Sequence, residues 1–392
     1  MNLGSIKAIF HKDVFYGTLE NYRDQHKFLH DLDKYRIPDK FSCRIDLPDT
    51  NQTVIIERLV AYYHRMKNEC ACAQNTGLND MWQHICKGHA AFELALENKD
   101  ISVVSEMLLN VCDTPGLVVG FENSIKNASS DHRRFLCLNA VDKLLALGEA
   151  LGCIPVQCPE QGVWGYQNLD IDHLLELIRL RLPFDIAPPS AGGCAFGYQT
   201  KYGVLSERNI QSIHTAYSSV ELLAESKKKI VCEIGGGIGS LTYYLAKAGM
   251  DEISLFDLPT VSVIQAYYLA KSLGPDMVWL YGEPRCQSKV RLLPFWQFDE
   301  VPEKYFSLVV NQDSMPEIAR NTVLHYFKLM SKNCEGYFLS INQEGRGPNI
   351  GDGRQSVVFE LIEAAGGFRR IQRCPDWMRG GYVAEVYKRI SP

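Results

Sequence analysis

Apolar and polar positions follow a regular alternation along the second half of the chain. From Lys229 onward, short apolar runs of strand length are separated by segments whose apolar residues recur at helical spacing. We expect seven strands, at 230–234, 252–256, 277–281, 306–311, 335–342, 368–373 and 381–388. We expect helices at 239–248, 259–273, 318–332 and 353–365. This alternation predicts an α/β fold with a Rossmann-like, doubly wound sheet, and the missing helix before the last strand predicts a closing antiparallel pair.

The first half of the chain shows mainly the helical period. We expect helices at 53–69, 79–97, 102–111, 133–151 and 170–181. Residues 1–50 mix aromatic and charged side chains with prolines, and we interpret them as an N-terminal arm. A stretch rich in proline and glycine over 183–197 precedes a helix that runs to about residue 225, and it is the best candidate for a domain boundary. The predicted domains are an arm over 1–50, a mainly α-helical domain over 51–190 and the sheet domain over 191–392.

A glycine-rich turn follows the first strand of the predicted sheet. From Glu233 to Gly239 it reads Glu-Ile-Gly-Gly-Gly-Ile-Gly. Strand, glycine turn and helix in this order place backbone N–H groups and a helix N-terminus around one ligand site. The dinucleotide fingerprint has the spacing G-x-G-x-x-G, whereas here an acid precedes glycines at Gly235, Gly237 and Gly239. The turn looks like the E-x-G-x-G-x-G signature of class I S-adenosylmethionine (SAM) methyltransferases.

Further segments resemble one bacterial family, the sugar O-methyltransferases. They are Phe256-Asp257-Leu258-Pro259, Leu292-Leu293-Pro294-Phe295-Trp296, the run from Val310 to Glu317, the run from Tyr337 to Asn342, Leu147 to Gly152, and Pro159-Glu160-Gln161. The resemblance covers roughly residues 75 to 390 and implies a SAM-dependent enzyme that methylates a hydroxyl of a sugar or another polar small molecule. The Phe-Asp-Leu-Pro segment also occurs in methyltransferases of phenolic small molecules, so natural-product acceptors with oxygen or nitrogen nucleophiles stay open.

Ligands of a parallel α/β sheet bind beyond the carboxyl ends of its strands, and this rule names the candidate donor-binding residues. Asp257 ends the second strand, where βαβ units place the carboxylate that binds ribose. The predicted cofactor-binding residues are Glu233, Gly235, Gly237, Gly239, Asp257, Leu258, Gly282, Glu283 and Asn311. In this set, Gly282 and Glu283 follow the third strand and are expected to border the adenine.

The same rule places acidic side chains near the reacting atoms. A hydroxyl acceptor is a weak nucleophile at neutral pH, so we expect a general base. Asp313 and Glu317 follow the fourth strand and are the first candidates, with Glu344 after the fifth strand as the second choice. Asp313 and Ser314 are also residue types that cap helices. His214 and His325 stand among apolar residues of predicted helices and are better explained as structural histidines.

Composition limits the partners and the metals that we expect. The chain has 392 residues, a net charge of −5 and no basic run, which argues against nucleic acid as a partner. We expect no membrane span and no signal peptide, and the 13 scattered cysteines favour reduced thiols in the cytoplasm. Five residues could form a zinc site, but their spacing fits no paired pattern: Cys70, Cys72, His84, Cys86 and His89. Asp313 with Glu344 could ligate a divalent metal, although no metal signature supports it.

Two other functional classes compete with the methyltransferase. A nicotinamide-dependent oxidoreductase predicts the G-x-G-x-x-G spacing and an open parallel sheet, and both disagree with the sequence. A binding protein that retains SAM without catalysis stays open, because fold does not determine function. The helical domain either covers the substrate site or mediates formation of a homodimer, and the sequence does not choose between these roles.

Overall fold

The computed structural model describes residues 39–73, 86–118, 129–156, 170–345 and 355–390. Its α-helices, numbered in chain order, are α1 (Gln52–Ala73), α2 (Ala90–Glu97), α3 (Ile101–Leu109), α4 (Ser130–Ala150), α5 (Ile171–Arg181), α6 (Glu207–Leu222), α7 (Ser240–Lys247), α8 (Pro259–Leu273), α9 (Arg320–Asn333) and α10 (Val358–Ala365). Its strands are β1 (Phe41–Cys43), β2 (Phe196–Thr200), β3 (Gly203–Ser206), β4 (Ile230–Ile234), β5 (Glu252–Asp257), β6 (Val278–Leu280), β7 (Val290–Pro294), β8 (Phe306–Gln312), β9 (Cys334–Gln343), β10 (Phe368–Pro375) and β11 (Tyr382–Arg389).

A mixed sheet forms the centre of the second half, in the order β10-β11-β9-β8-β4-β5-β7-β6. The strands from β9 to β6 pair in parallel, while β11 runs antiparallel to both β9 and β10. The predicted Rossmann-like α/β class and its closing antiparallel pair are confirmed. Chain order reverses between β4 and β8, which is where open α/β sheets bind their ligands.

The sheet has eight strands, so the prediction of seven was wrong by one. The additional strand, β7, lies between β5 and β6. A charged residue interrupts its apolar run, and for this reason the pattern of apolar positions did not predict the strand. That residue, Arg291, donates to Glu252 Oε1 at 2.9 Å and to the Tyr305 hydroxyl at 2.9 Å. The third predicted strand is the short edge strand β6 in the structure.

A second, three-stranded sheet was also not predicted. Its order is β1-β2-β3, and Phe41 lies opposite Tyr198. Beside it, the buried Arg44 donates to the carbonyl oxygens of Ala191 and Val204 at 2.8 and 2.7 Å, and to Asn209 Oδ1 at 2.7 Å. The end of the predicted arm therefore pairs with residues beyond the predicted boundary near residue 190.

The helical region and one face of the large sheet share one continuous hydrophobic core. Within it, α4 is buried on every side from Leu136 to Glu149, and α1 packs along α8. A second core lies on the opposite face of the sheet, beneath α9 and α10. Within the described ranges, every helix is too short or too polar to cross a lipid bilayer. The predicted helix 79–97 is described only from residue 86, where a 3₁₀ turn leads into α2.

Candidate functional site

The glycine turn between β4 and α7 adopts a backbone that glycine alone takes without strain. Gly235, Gly237 and Gly239 have φ angles of 69°, 57° and 91°. The N–H of Gly235 donates to the carbonyl oxygen of Phe256 at 3.0 Å. A Cβ on Gly235 would lie 2.1 Å from the hydroxyl oxygen of Ser314. The turn therefore needs a glycine at this position for both conformation and space.

Two buried carboxylates stand beside this turn. Glu233 Oε2 accepts a hydrogen bond from the Thr242 hydroxyl at 2.5 Å, and Asp257 Oδ1 accepts one from the N–H of Leu258 at 2.8 Å. Gln265 Nε2 donates to Asp257 Oδ2 at 2.6 Å and to the Gly237 carbonyl oxygen at 3.0 Å, which ties the turn to the end of β5.

Burial is the main cause of the raised pKa values of these two carboxyl groups. It raises the pKa of Glu233 to about 8 and that of Asp257 to about 7, and the charge of Asp257 raises the pKa of Glu233 further. Among the described residues, neither carboxylate forms a salt bridge. A cationic group placed here would lower both pKa values.

Asn311 lies beneath the turn, at the end of β8. It is fully buried, and its amide nitrogen donates to the Ile234 carbonyl oxygen at 2.9 Å and to the Ser314 hydroxyl at 2.6 Å. Its amide oxygen accepts from Asn342 Nδ2 at 3.0 Å. This predicted cofactor-binding residue therefore joins the ends of β4, β8 and β9, an arrangement suited to holding the turn in shape.

Asp313 follows β8 and is held between two arginines. Its φ angle is 72°, a left-handed conformation that is rare outside glycine. Arg208, in the first turn of α6, donates to Asp313 Oδ2 at 3.0 Å, and Arg379, between β10 and β11, donates to Oδ1 at 2.5 Å. The Arg379 guanidinium also stacks 3.8 Å from the centre of the Tyr382 ring. Backbone strain of this kind, stored at a strand end, is typical of functional positions.

Glu317 ends a 3₁₀ turn four residues after Asp313 and is only half-buried. Burial raises its pKa to about 7, the negative charge of Asp313 raises it further, and Arg379 and Arg208 lower it. The sequence thus placed two carboxylates at this strand end, and the structure gives them different surroundings. A group with a pKa near the working pH is suited to proton transfer.

Three predicted site residues lie apart from this cluster. Arg373 binds Glu344 through both terminal nitrogens at 2.7 and 2.8 Å, and this hydrogen-bonded pair lowers the pKa of the carboxyl. Glu283 accepts from Arg58 of α1 at 2.6 and 2.7 Å. Gly282, with φ at 82°, lies against the side chain of Arg65. Both of these residues follow the edge strand β6, with β7 between them and β5.

The histidines and the possible metal ligands take other positions. Burial lowers the pKa of His214 to about 4, and His325 is an exposed partner of Asp299 at 2.7 Å. Of the zinc candidates, His89 is buried in the helical region, while His84 and the side chains of Cys70 and Cys72 fall outside the described residues. In the part of the chain that the structure describes, no group of three or more acidic, histidine or cysteine side chains could hold a metal ion.

Sequence reasoning missed the two arginines that bind Asp313 and the aromatic pair next to Asp257. Arg208 and Arg379 stand 105 and 66 residues from Asp313 in the chain, so their pairing has no local signal. Phe295 and Trp296, half-buried directly after β7, occupy the strand end next to Asp257. Their segment was noticed only through the family resemblance, because the strand before it was not predicted.

Comparisons with known proteins give structural similarity only. No family model matches the chain, and no curated protein matches it. Magnesium protoporphyrin IX methyltransferase from Synechocystis PCC 6803 with bound SAM shares 13% identity over 47% of this chain and 82% of its own, with a TM-score of 0.34. The 1,6-didemethyltoxoflavin-N1-methyltransferase of Burkholderia thailandensis shares 20% identity over 46% of this chain and 79% of its own, with a TM-score of 0.33.

A third similar structure is the [4+2]-cyclase SpnF, with 12% identity over 47% of this chain and 82% of that one, and a TM-score of 0.36. Proteins described as methyltransferases and as a cyclase thus stand together among the similar structures. TM-scores this low carry no inference about activity, and the fold assignment rests on the strand order described above. Any function has to be argued from the residues at the strand ends.

Proposed function

We propose that the chain is a SAM-dependent methyltransferase whose methyl donor binds over the ends of β4, β5 and β7, the donor half of the site. The observation that carries this proposal is the glycine turn of left-handed residues directly after β4, beside the buried Asp257. The first N–H groups of α7 follow this turn and face the same site.

The buried carboxylates fit the charge of the donor. SAM combines a sulfonium, an ammonium and a carboxylate, so its net charge is positive. Glu233 and Asp257 have pKa values raised by burial, and a cation nearby stabilises their ionised forms. A carboxylate has about four lone-pair positions, so Asp257 retains capacity for ribose hydroxyls beyond its bonds to Leu258 and Gln265.

The ends of β8 and β9 and the turn between β10 and β11 form the acceptor half. When bound, SAM supplies an electrophilic methyl group on sulfur. The protein holds the acceptor in line with that methyl, which lowers the entropic part of the barrier. We assign the proton-accepting role to Glu317, because its pKa of about 7 leaves a large ionised fraction at neutral pH. General-base catalysis of this kind contributes about 10²- to 10⁴-fold in rate.

Asp313 receives a different role from the one its position alone suggested. Both of its oxygens accept hydrogen bonds from guanidinium groups, one from Arg208 and one from Arg379. We propose that Asp313 positions these arginines beside the acceptor. Glu344 is bound by Arg373 in the same way and takes no part in the transfer.

A sugar or another polar small molecule is the acceptor that we propose. The family resemblance suggests it, and the arginines and Gln343 of the acceptor half fit hydroxyl-bearing molecules. Methylation of a phenolic or nitrogen-bearing natural product is the alternative. Incubating the protein with SAM and a panel of sugars, phenols and heteroaromatic amines, and measuring release of S-adenosylhomocysteine (SAH), separates these classes.

The cofactor assignment has a test that needs no acceptor. Calorimetry on the full chain should detect binding of SAM and SAH but not of NADH. Asp257→Ala should weaken SAH binding by about 10- to 100-fold, because a charged hydrogen-bonding group at the ribose is lost. Asp276→Ala removes an exposed carboxylate from the other end of the sheet and serves as the control. Binding of NADH in place of SAM would overturn the class.

A further inference from the structure

The helix α1 belongs to the helical region but packs against the donor half. Its Arg58 donates to the carbonyl oxygens of Pro275 and Val278 at 3.0 and 2.6 Å, in addition to its bonds with Glu283. These contacts fix α1 along α8 and over the end of β6. The face of α1 that carries Arg58, Tyr62 and Arg65 is therefore turned toward the sheet.

Strand order sets the direction in which a nucleoside would extend from the glycine turn. Glycines end β4, the ribose-binding candidate Asp257 ends β5, and the next strand outward is β7. A base attached to a ribose at Asp257 therefore lies over the end of β7, toward β6. Phe295 and Trp296 follow β7 and supply half-buried aromatic surface there.

From α1, Arg65 extends to the adjacent strand end, that of β6. Its Nε donates to the carbonyl oxygen of Tyr281, at the end of β6, at 3.2 Å. A Cβ on Gly282 would lie 2.9 Å from Arg65 Cδ, so the side chain is packed tightly into the loop. Gln297 donates to the Tyr281 hydroxyl at 3.0 Å, and that hydroxyl donates to Glu69 of α1 at 2.9 Å. A hydrogen-bonded wall thus connects α1, β6 and the segment after β7.

One donor in this wall has no partner among the residues that the structure describes. The Nη2 atom of Arg65 is buried and lacks a hydrogen-bond acceptor among the described residues. An unsatisfied buried guanidinium nitrogen is costly, and such groups are usually completed by water or by a ligand. Tyr62, one turn earlier on the same face, is fully buried, packs by Ser262 in α8 and is close enough to Asp257 to feel its charge.

We infer that Arg65 binds the nucleobase of the methyl donor, by donating from Nη2 to a ring nitrogen of the base. The inference rests on the proposed function, since it assumes a nucleoside donor on the glycine turn. The ring nitrogens of adenine are hydrogen-bond acceptors, which matches the donor-only guanidinium. The helical region then forms part of the donor site itself, in addition to any contact with the acceptor.

The test removes the Arg65 guanidinium and, separately, single ring nitrogens of the ligand, and compares the effects on binding. Calorimetry measures binding of SAH and of its 1-deaza, 3-deaza and 7-deaza analogues, each of which lacks one ring nitrogen, to the wild-type chain and to Arg65→Met. We expect one analogue to bind the wild type about 10- to 100-fold more weakly than SAH, and Arg65→Met to bind SAH and that analogue equally. Lys67→Met, at an exposed position of the same helix paired with Glu97, should behave as wild type.

The possible outcomes test the role of Arg65 separately from the proposed methyltransferase function. If wild type binds SAH and Arg65→Met binds it equally tightly, the base-binding role is wrong and the methyltransferase proposal stands. If Arg65→Met weakens SAH and all three analogues by one common factor, Arg65 acts only on the loop and the inference is again wrong. Failure of SAH to bind the wild type overturns both. Should Arg65→Met not fold, the wild-type series alone decides, because equal binding of SAH and of all three analogues contradicts the inference.

Discussion

On one side of β4, Glu233 and Asp257 are buried with raised pKa values, whereas on the other side Asp313 is neutralised by Arg208 and Arg379. The proposed donor half is built from nearby chain segments, the ends of β4, β5 and β7. The acceptor half brings together α6, the end of β8 and the turn after β10. The difference fits their proposed ligands, because a cationic donor suits uncompensated carboxylates and a neutral, polar acceptor suits a balanced set of charges.

Within the acceptor half, two carboxylates four residues apart in the chain also differ from each other. Asp313 has two cations in direct contact, while Glu317 feels the same arginines from further away and keeps a raised pKa. Asp313 is therefore held in two hydrogen-bonded ion pairs, whereas Glu317 can exchange a proton near neutral pH. This contrast supports the proposal that Asp313 positions the arginines and that Glu317 transfers the proton.

The largest expected effect comes from replacing a glycine of the turn after β4. Gly235→Ala forces an alanine into φ near 69° and its Cβ against Ser314, so we expect loss of SAH binding by at least about 100-fold, with destabilisation of about 2–4 kcal/mol. Gly249→Ala is the matched control, because φ there is 81° but a Cβ meets nothing within 4 Å. It should cost only about 1–2 kcal/mol and leave SAH binding unchanged. Urea unfolding and calorimetry measure the two quantities, and equal effects in both variants would contradict the role of the turn.

The next effect is on turnover. Glu317→Gln should retain SAH binding and lose about 10²- to 10⁴-fold in kcat with an acceptor found in the panel, because the proton acceptor is gone. In the wild type the rate should rise with pH through about 7, since the base works when ionised, and this rise should be absent from the variant. Glu344→Gln removes the carboxylate bound by Arg373 and is the control, with kcat close to wild type. A larger loss in Glu344→Gln than in Glu317→Gln would reverse the assignment.

The glycine turn and Asp257 of the proposed donor half were predictable from the sequence because their signals are local. The apolar run of β4, the spacing of the glycines and the carboxylate of Asp257 lie within 28 residues, and each has its own conformational or chemical signature. Strand-end reasoning also located Asp313 and Glu317 correctly at the next strand end. What it could not supply was the partner of each carboxylate, since ion pairs such as Arg208 with Asp313 join residues far apart in the chain.

The strands β1, β2, β3 and β7 were missed for a similar reason, because contacts between distant residues leave no local signal. In β7 the charge of Arg291 is stabilised by Glu252 and Tyr305, and this compensation is invisible in a pattern of apolar positions. In the small sheet the strands have only three to five residues, too few for a periodic signal, and β1 pairs with β2 from more than 150 residues away in the chain. Because β7 was not predicted, the sequence offered only Gly282 and Glu283, which follow β6, as adenine contacts, and the aromatic pair after β7 was not considered.

The smallest expected effect is a shift of the pH profile, and it tests the contrast between the two neighbouring carboxylates directly. In Asp313→Asn the negative charge that raises the pKa of Glu317 disappears, while Arg208 and Arg379 keep lowering it. The pKa of Glu317 should therefore fall, and the rising limb of kcat should move to lower pH by about one unit. The plateau of kcat should fall less than in Glu317→Gln, because the base is still present. Asp299→Asn, which removes a surface carboxylate paired with His325, should leave the limb in place. A limb that stays at about pH 7 in Asp313→Asn, or moves upward, would mean that a group other than Glu317 sets the profile.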